Sequence, residues 1–355
     1  MDTRTNYSFL EDEMMQSAIC KRARKSFSRV HLAAAIFLIA ANAAMLISEL
    51  VLILTVGVEK TLGLLENPYV IWGLQVLCMY VIAFPIFLLI VRKLPRRKRE
   101  KESMSLKEFG ALFLICEAIM IGFSILSNLL TEYLSGVLGY PIENTTSDMI
   151  SESPIWLVIL VAVIIGPIVE ELVFRKTFID VLGTYGDRVA IVFSSLAFGL
   201  FHGNFSQMFY AIGIGLVLGY VYTKTSKIKH TIFLHIALNF IGTVPVLLVY
   251  DRAERLMNLP EDYIPAESEA VSILIDTALV GLVSLMQYAL AVAGLILLIR
   301  LTIQRAYKVP KTCDIPIPKW HFLTTTVFNF GFLFFLIVCA AQFALSLLPP
   351  EFLNA

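Results

Sequence analysis

Long apolar runs alternate with short polar segments along almost the whole chain. A helix needs about 20 apolar residues to cross a bilayer. The pattern therefore predicts an all-α fold, a polytopic bundle of about eight or nine transmembrane helices. The candidate spans lie at roughly 31–57, 69–92, 108–135, 154–178, 188–205, 207–224, 230–250, 271–300 and 320–348. The fifth and sixth runs are short, so we expect them to be tilted, broken or re-entrant.

The composition agrees with this pattern. Of the 355 residues, 58% are hydrophobic and 16% are charged, whereas soluble globular proteins have about 45–50% apolar and about 25% charged residues. We therefore expect an integral, multi-pass membrane protein, with the lipid bilayer as its surroundings. The five cysteines form no CxxC pair, so neither a disulfide framework nor a zinc cage is indicated.

Lys and Arg residues are concentrated in four segments, although the net charge of the chain is zero. These segments are 21–29, 92–101, 224–229 and 300–311. Cytoplasmic loops of membrane proteins carry an excess of Lys and Arg, and with nine spans all four segments fall on one side of the membrane. The charges therefore predict a cytoplasmic N-terminus. They indicate membrane topology and no nucleic-acid partner.

The same pattern divides the chain into four regions. Residues 1–29 are expected to be a cytoplasmic tail, which could form a short surface helix. Residues 30–153 and 251–355 are expected to be flanking sets of transmembrane helices. Residues 154–250 are expected to be a helical core, because the polar residues described next all fall within them.

Small residues recur in the sixth span of this core. Ala211, Gly215 and Gly219 follow one another at four-residue spacing. Small side chains at this spacing let a second helix approach closely inside a membrane. We therefore expect another helix to pack against this stripe and to help to wall a cavity.

Six polar side chains interrupt the apolar runs of the core. A charge at membrane depth costs several kcal/mol on insertion scales, about 2.5–3.5, so such residues are paired, hydrated or functional. The cluster is therefore the first candidate for a functional site. Its members are Glu170, Glu171, Arg175, His202, His235 and Asn239.

The two adjacent glutamates are expected to have different roles. Successive residues of a helix point about 100° apart, whereas Glu171 and Arg175 are four residues apart on one face. This spacing predicts a supporting ion pair between Glu171 and Arg175 and leaves Glu170 free for acid–base chemistry. The alternative is that these charges simply end the span at the water boundary.

His202, His235 and Asn239 add groups that can assist hydrolysis. A single histidine in a membrane helix is often only an interhelical hydrogen bond. His235 and Asn239, however, lie four residues apart on one face and could bind a carbonyl oxygen or an anion. Together with Glu170 the set resembles a hydrolytic centre. Glu170 would activate water, His202 would orient it, and His235 and Asn239 would stabilise the oxyanion.

Other hydrolytic arrangements are less consistent with the sequence. No GxSxG or HExxH motif is present, and no serine or cysteine stands beside a histidine as a nucleophile. Two histidines and one carboxylate could ligate zinc if they converged, but the spacing is not a zinc signature. We therefore expect no catalytic metal and no other cofactor, with zinc as the disfavoured alternative.

Three motifs in order resemble the CPBP (Abi) family of intramembrane proteases, which includes the CAAX proteases. A Glu-Glu-xxx-Arg motif runs from Glu170 to Arg175, Phe-xxx-His runs from Phe198 to His202, and His-xxx-Asn begins at His235. The resemblance covers about residues 154–250. It implies a glutamate-dependent endopeptidase similar to type II CAAX prenyl endopeptidases. It also implies catalytic roles for Glu170, His202, His235 and Asn239, with Glu171, Arg175 and Phe198 as supporting residues.

The resemblance leaves several substrates open. The partner would be a membrane-associated protein or peptide, such as a prenylated CAAX-type tail, and the plasma membrane of a prokaryote is the expected location. An alternative is a non-catalytic binding or bacteriocin-immunity protein that uses the same polar pocket. A proton-coupled transporter is a third hypothesis, although no internal repeat is present. The oligomeric state is not indicated.

The predicted spans also raise a problem of depth. At about 1.5 Å per residue, His202 would lie roughly 20 Å along the fifth span, and His235 only about 8 Å along the seventh. A shared site requires these depths to coincide. We expect convergence, through a tilted, broken or displaced fifth helix.

Overall fold

A computed structural model describes residues 3–142, 145–260, 263–304 and 312–349. This part of the chain is helical and contains no strand, as predicted. We number its helices in chain order, joining segments that continue one another. They are α1 Thr3–Val56, α2 Val58–Leu65, α3 Pro68–Val91, α4 Leu106–Leu138, α5 Thr145–Ser151, α6 Ile155–Tyr185, α7 Asp187–Phe201, α8 Phe205–Thr225, α9 Ile228–Leu247, α10 Tyr250–Met257, α11 Glu267–Ile303, α12 Lys319–Thr326 and α13 Phe330–Leu345.

Seven of these helices are long and apolar enough to cross a membrane, namely α1, α3, α4, α6, α8, α9 and α11. The pair α12 and α13, bent by 49°, provides an eighth span if it crosses as one unit. The multi-pass membrane architecture is therefore confirmed. The upper count of nine spans included residues 188–205, which form α7. With 15 residues, α7 is only about 22 Å long, shorter than a hydrocarbon core of about 30 Å.

Helices α7 and α8 form a tight hairpin because small residues line their contact. A Cβ atom on Gly215 would lie 3.0 Å from the Cα atom of Ser195, and one on Gly219 would lie 3.0 Å from Ile191. The small-residue stripe therefore admits a neighbouring helix, as predicted. Gly203 has a φ of +67° in the turn between the two helices, a backbone conformation that glycine adopts without strain.

The predicted tail, residues 1–29, does not form a separate element. From Thr3 it belongs to the same helix as the first span, α1. Ala23 and Phe27 are fully buried, and the Phe27 ring packs edge-on against Phe193 of α7, with centroids 5.0 Å apart. One continuous helix therefore serves both regions. The remaining domain boundaries stay predictions.

A polar network closes one end of the bundle. Arg99 contacts Asp180 of α6 at 3.0 Å and Asp187 of α7 at 2.8 Å, while Arg97 contacts Asp187 at 3.3 Å and Asp314 at 3.1 Å. These ion pairs hold the segments around residues 97 and 314 against the turn that connects α6 and α7. Which side of the membrane this end faces stays a prediction from the charges. Residues 305–311 of the fourth basic segment lie outside the described residues.

Helix α11 is the least buried of the seven long apolar helices. It packs on α4, where a Cβ atom on Gly294 would collide with the carbonyl group of Leu114. Only 6% of its most apolar window is buried within the protein. Helix α6, with 56% of its window buried, is the central helix of the bundle and carries the two glutamates.

Candidate active site

The central helix α6 changes its winding at the glutamates. An α-helical segment, Gly166–Glu170, lies between two π-helical segments, Ile159–Ile165 and Glu171–Ile179. The hydroxyl of Thr177 donates to the carbonyl of Leu172, five residues earlier, at 2.9 Å. π-helical turns are rare and are frequent at functional sites. The change of winding alters which side chains share a face just where the polar residues occur.

Glu171 forms the buried charge cluster at the start of this π segment. Its carboxylate lies 3.2 Å from Nη1 of Arg175 and 3.0 Å from Nδ1 of His235. The side chains of Glu171 and Arg175 are both 0% exposed. A buried charge is tolerated only when it is paired, and each of these has an opposite charge or a donor beside it. The predicted ion pair between Glu171 and Arg175 is therefore present.

Glu170 faces the same imidazole from the other side. Its Oε2 atom lies 3.6 Å from Nε2 of His235, and its side chain is 28% exposed. His235 therefore stands between a buried carboxylate and a more accessible one. The separation of 3.6 Å is too long for a direct hydrogen bond. It leaves room for one oxygen atom to contact both groups.

The neighbours of each histidine fix its tautomer. A carboxylate paired with a guanidinium accepts a hydrogen bond, so Nδ1 of His235 carries a hydrogen atom and its N–H group donates a hydrogen bond to Glu171. Nδ1 of His202 lies 2.8 Å from the carbonyl oxygen of Phe198, which can only accept. In the neutral form of either ring, Nε2 is therefore the atom with a free lone pair, available to bind a proton.

Phe198 joins the two histidines and the arginine. Its ring centroid lies 5.0 Å from the ring of His202 and 5.7 Å from the ring of His235. The guanidinium carbon of Arg175 lies 4.3 Å above the same ring, within the range of a cation–π interaction. The Phe-xxx-His spacing thus positions both residues. The expected convergence of α6, α7 and α9 is present, because the short α7 ends inside the bundle at His202.

Asn239 is oriented differently from the other site residues. Its Nδ2 atom donates to the backbone carbonyl of Ala162 at 3.1 Å. Ala162 belongs to the first π segment of α6, two helical turns before Glu170. One of the two amide hydrogens is therefore engaged by the protein, and one is available for a ligand. Asn239 lies along the α6 face that leads to Glu170.

Two tyrosines that the sequence did not single out lie near the site. Tyr80 of α3 and Tyr210 of α8 are each within electrostatic range of Glu170. The hydroxyl of Tyr80 points at Gly166, where a Cβ atom would lie 3.4 Å from the oxygen. Tyrosine counts among the hydrophobic residues of the chain, so neither residue gave a signal in an apolar run.

Among the residues that the structure describes, no three His, Cys, Asp or Glu side chains are arranged to hold a metal ion. His235 uses Nδ1 for Glu171, and His202 uses Nδ1 for a backbone carbonyl. The expectation that the protein needs no cofactor stays a prediction.

Comparison with known proteins agrees with the three motifs. Residues 152–241 match the family described as type II CAAX prenyl endopeptidase Rce1-like. The chain is 29% identical over 186 residues to the "Putative membrane peptidase YdiL" of Bacillus subtilis, an alignment that covers 49% of this chain and 72% of that protein. It is 31% identical over 128 residues to the "Membrane-embedded CAAX protease MroQ" of Staphylococcus aureus, covering 34% of this chain and 51% of that protein.

No solved structure matches the chain. The family match contains all of α6, α7 and α8 and the first part of α9, up to residue 241, and it includes Glu170, His202, His235 and Asn239. Helix α3 with Tyr80, and the helices from α10 onward, lie outside it. The predicted resemblance to the CAAX proteases is therefore confirmed.

Proposed function

We propose that this protein, whose residues 152–241 match the Rce1-like family of membrane peptidases, hydrolyses a peptide bond of a membrane-associated substrate with water activated by Glu170. The observation that carries the proposal is the Glu170–His235–Glu171 arrangement. The outer carboxylate is accessible and lies 3.6 Å from Nε2, and the inner one binds Nδ1 at 3.0 Å. Such an arrangement supplies a base beside a positioned imidazole.

Glu170 is the base of the proposed reaction. It takes a proton from a water molecule while the water oxygen attacks the carbonyl carbon of the scissile peptide bond. The carbonyl oxygen becomes an oxyanion. When the tetrahedral intermediate collapses, the carbon–nitrogen bond breaks and the proton passes from Glu170 to the leaving amine. Nδ1 of both His202 and His235 is already engaged, so Nε2 of either ring can hold the proton in transit.

Asn239 is the proposed amide donor to the oxyanion. One of its N–H bonds is engaged by Ala162, which fixes the orientation of the carboxamide. The second N–H bond can then point to the developing charge without reorganisation, and such preorganised donors are a large part of catalysis. His235, one turn earlier on α9, borders the same space.

Glu171, Arg175 and Phe198 support the reacting groups. The Arg175 guanidinium is held between the Glu171 carboxylate and the Phe198 ring, and Glu171 in turn holds His235. Removing any of these would leave a buried charge without its partner or would release the imidazole. Their proposed role is to position the site.

A prenylated CAAX-type protein or peptide is the proposed substrate. The relatives are named as a membrane peptidase and a CAAX protease, both from bacteria. We therefore propose the plasma membrane of a prokaryote as the location. The surroundings are a lipid bilayer, which would also hold the lipid anchor of such a substrate.

The test uses the full chain in proteoliposomes and an internally quenched, farnesylated peptide that ends in a CAAX sequence. Glu170→Gln keeps the size and the hydrogen bonding of the side chain but removes the base. A general base contributes about 10²–10⁴-fold to rate, so we expect kcat to fall by about that factor. Glu132→Gln, an exposed carboxylate on α4, is the matched control and should cleave at the wild-type rate.

Two outcomes would contradict different parts of the proposal. Cleavage by Glu170→Gln at the wild-type rate would exclude the glutamate base. Cleavage of an unprenylated membrane peptide but not of the farnesylated one would exclude the substrate class and leave the hydrolase intact. Tight binding of both peptides without any cleavage by the wild type would favour a binding protein.

A further inference from the structure

Three side chains from other helices contact successive turns of one face of α6. Ala162, Gly166 and Glu170 follow one another at four-residue spacing, so they share a face of the helix. Asn239 donates to the carbonyl of Ala162 at 3.1 Å, and His235 lies 3.6 Å from Glu170. The middle position, Gly166, is contacted by the side chain of a residue from outside the family match.

That side chain is Tyr80 of α3. A Cβ atom on Gly166 would lie 3.4 Å from its hydroxyl oxygen, an ordinary contact distance, so the hydroxyl lies against the α6 face at this residue. Tyr80 lies in the π-helical segment Val76–Ala83 of α3. Its ring packs partly buried against the clusters that contain Val161 and Val173, which holds the hydroxyl in place.

The direction of the Glu170 side chain brings it toward the same point. Side chains of a helix lean toward its N-terminus, so the Glu170 carboxylate extends over the turn that contains Gly166. Tyr80 is accordingly within electrostatic range of Glu170. At Gly166 the hydroxyl is one helical turn from Glu170 and one turn from Ala162, whose carbonyl group binds Asn239.

The Tyr80 hydroxyl is available for a ligand. Among the described residues it makes no hydrogen bond, so its O–H group has no acceptor within the protein. A phenol donates one O–H hydrogen bond. Asn239 has only one free amide hydrogen because Ala162 engages the other. An oxyanion at this face would need a further donor.

We propose that Tyr80 is a catalytic residue that donates its O–H group to the oxyanion beside Asn239. The inference rests on the proposed function, since it names a second donor for the same reaction. It assigns α3, outside the family-matched region 152–241, a direct part in the chemistry. The proton stays on Tyr80 throughout, so the reaction remains balanced by the transfer from water to Glu170 and on to the leaving amine.

The test is Tyr80→Phe, which keeps the ring and removes only the hydroxyl. Loss of one oxyanion donor costs about 10²–10³-fold in kcat, and we expect a fall in kcat near the lower end of this range with little change in KM. Tyr133→Phe, a 68% exposed tyrosine on α4, is the matched control and should be unchanged. The substrate is the farnesylated, internally quenched peptide.

A binding measurement separates donation from packing. The same peptide with a methylene in place of the scissile carbonyl cannot form an oxyanion. Tyr80→Phe should therefore bind it with the wild-type Kd. Equal losses of kcat and of binding to this analogue would show that Tyr80 only shapes the site, and would overturn the proposal.

The remaining outcomes distinguish this inference from the function on which it rests. If the wild type cleaves, Glu170→Gln does not and Tyr80→Phe has the kcat of Tyr133→Phe, then the role of Tyr80 is refuted and the protease stands. If the wild type does not cleave, the proposed function fails and the inference about Tyr80 fails with it.

Discussion

Helices α6 and α11 are both strongly apolar, but they differ in burial and in helical winding. Both are long enough to span a bilayer, but 56% of the apolar window of α6 is buried in the protein against 6% for α11. Helix α11 runs for 37 residues as one α-helix, whereas α6 contains two π segments. Apolar character thus predicts a span, but it does not tell whether protein or lipid surrounds it.

Polar residues inside the apolar run carry that missing information. Glu171 and Arg175 of α6 are fully buried, because only protein neighbours can supply partners for charges at membrane depth. Helix α11 has a buried acidic residue too, Asp276, but it is paired with Arg252 and Arg255 of the short helix α10. The difference between the two helices is open to direct test by matched substitutions.

The largest effect is expected from Arg175→Met. The substitution leaves the Glu171 carboxylate fully buried without its cation, and breaking a buried pair costs about 3–5 kcal/mol. It also removes the cation above the Phe198 ring. We expect a much lower thermal unfolding midpoint in detergent micelles and no measurable cleavage. Arg300→Met, at the exposed end of α11, should change stability by less than about 0.5 kcal/mol.

An equal loss for both arginine variants would contradict the comparison. It would mean that the Arg175 guanidinium gains no more from its buried partners than Arg300 gains at the end of its helix. A charge-conserving variant, Arg175→Lys, should recover only part of the stability. An ammonium group lacks the planar shape that contacts the carboxylate and the aromatic ring together.

The next effect concerns apolar side chains on the two helices. Phe174→Ala empties a fully buried position that contacts Phe178, Phe198 and Phe201 with centroid distances of 5.5, 5.2 and 5.3 Å. Creating a cavity of this kind lowers the free energy of unfolding by about 3–5 kcal/mol. Leu282→Ala removes a side chain that is 63% exposed on α11, and its cost should be below about 0.5 kcal/mol.

Chemical or thermal unfolding of the two variants in the same detergent would measure this difference. A loss of more than about 2 kcal/mol for Leu282→Ala would exceed the range of surface substitutions. It would indicate that α11 packs against another protein surface, for example a second copy of the chain. The activity of Leu282→Ala should equal that of the wild type if α11 only faces lipid.

The comparison also explains how much of the molecule the sequence could predict. Apolar run length predicted every long span, because a bilayer sets the length of a helix that crosses it. The pairing of Glu171 with Arg175 followed from their spacing on one helix face. The site residues on α6, α7 and α9 were found because their polarity is conspicuous in apolar surroundings. What each of them does in catalysis stays a prediction.

Other features could not be predicted, for physical reasons. The π segments around Tyr80, Ala162 and Arg175 depend on tertiary packing and have no sequence signature of their own. Helix α7 looked like a short span because burial inside protein and burial inside lipid select the same apolar residues. Tyr80 gave no signal because its phenol is chemically ordinary until the fold sets it opposite Gly166.

The smallest effect is expected from replacing a glycine by alanine in the buried core, on α7, and on the exposed helix α11. The change in stability should have opposite signs at the two positions. A Cβ atom on Gly199 of α7 would collide with Ile212 and lie 2.7 Å from the backbone oxygen of Met208. A backbone atom cannot move aside easily, so Gly199→Ala should destabilise the protein by about 1–3 kcal/mol. Because Gly199 precedes His202 by less than one helical turn, the rate of cleavage should fall as well.

Gly281→Ala is the matched substitution on α11, where nothing lies within 4 Å of a Cβ atom. Alanine favours a helix over glycine by about 0.5–1 kcal/mol, so this variant should be slightly more stable than the wild type. Thermal unfolding of both variants in one detergent measures the contrast. Stabilisation by Gly199→Ala would show that α7 and α8 are not in close contact, and the hairpin that positions the end of α7 would lose its physical basis.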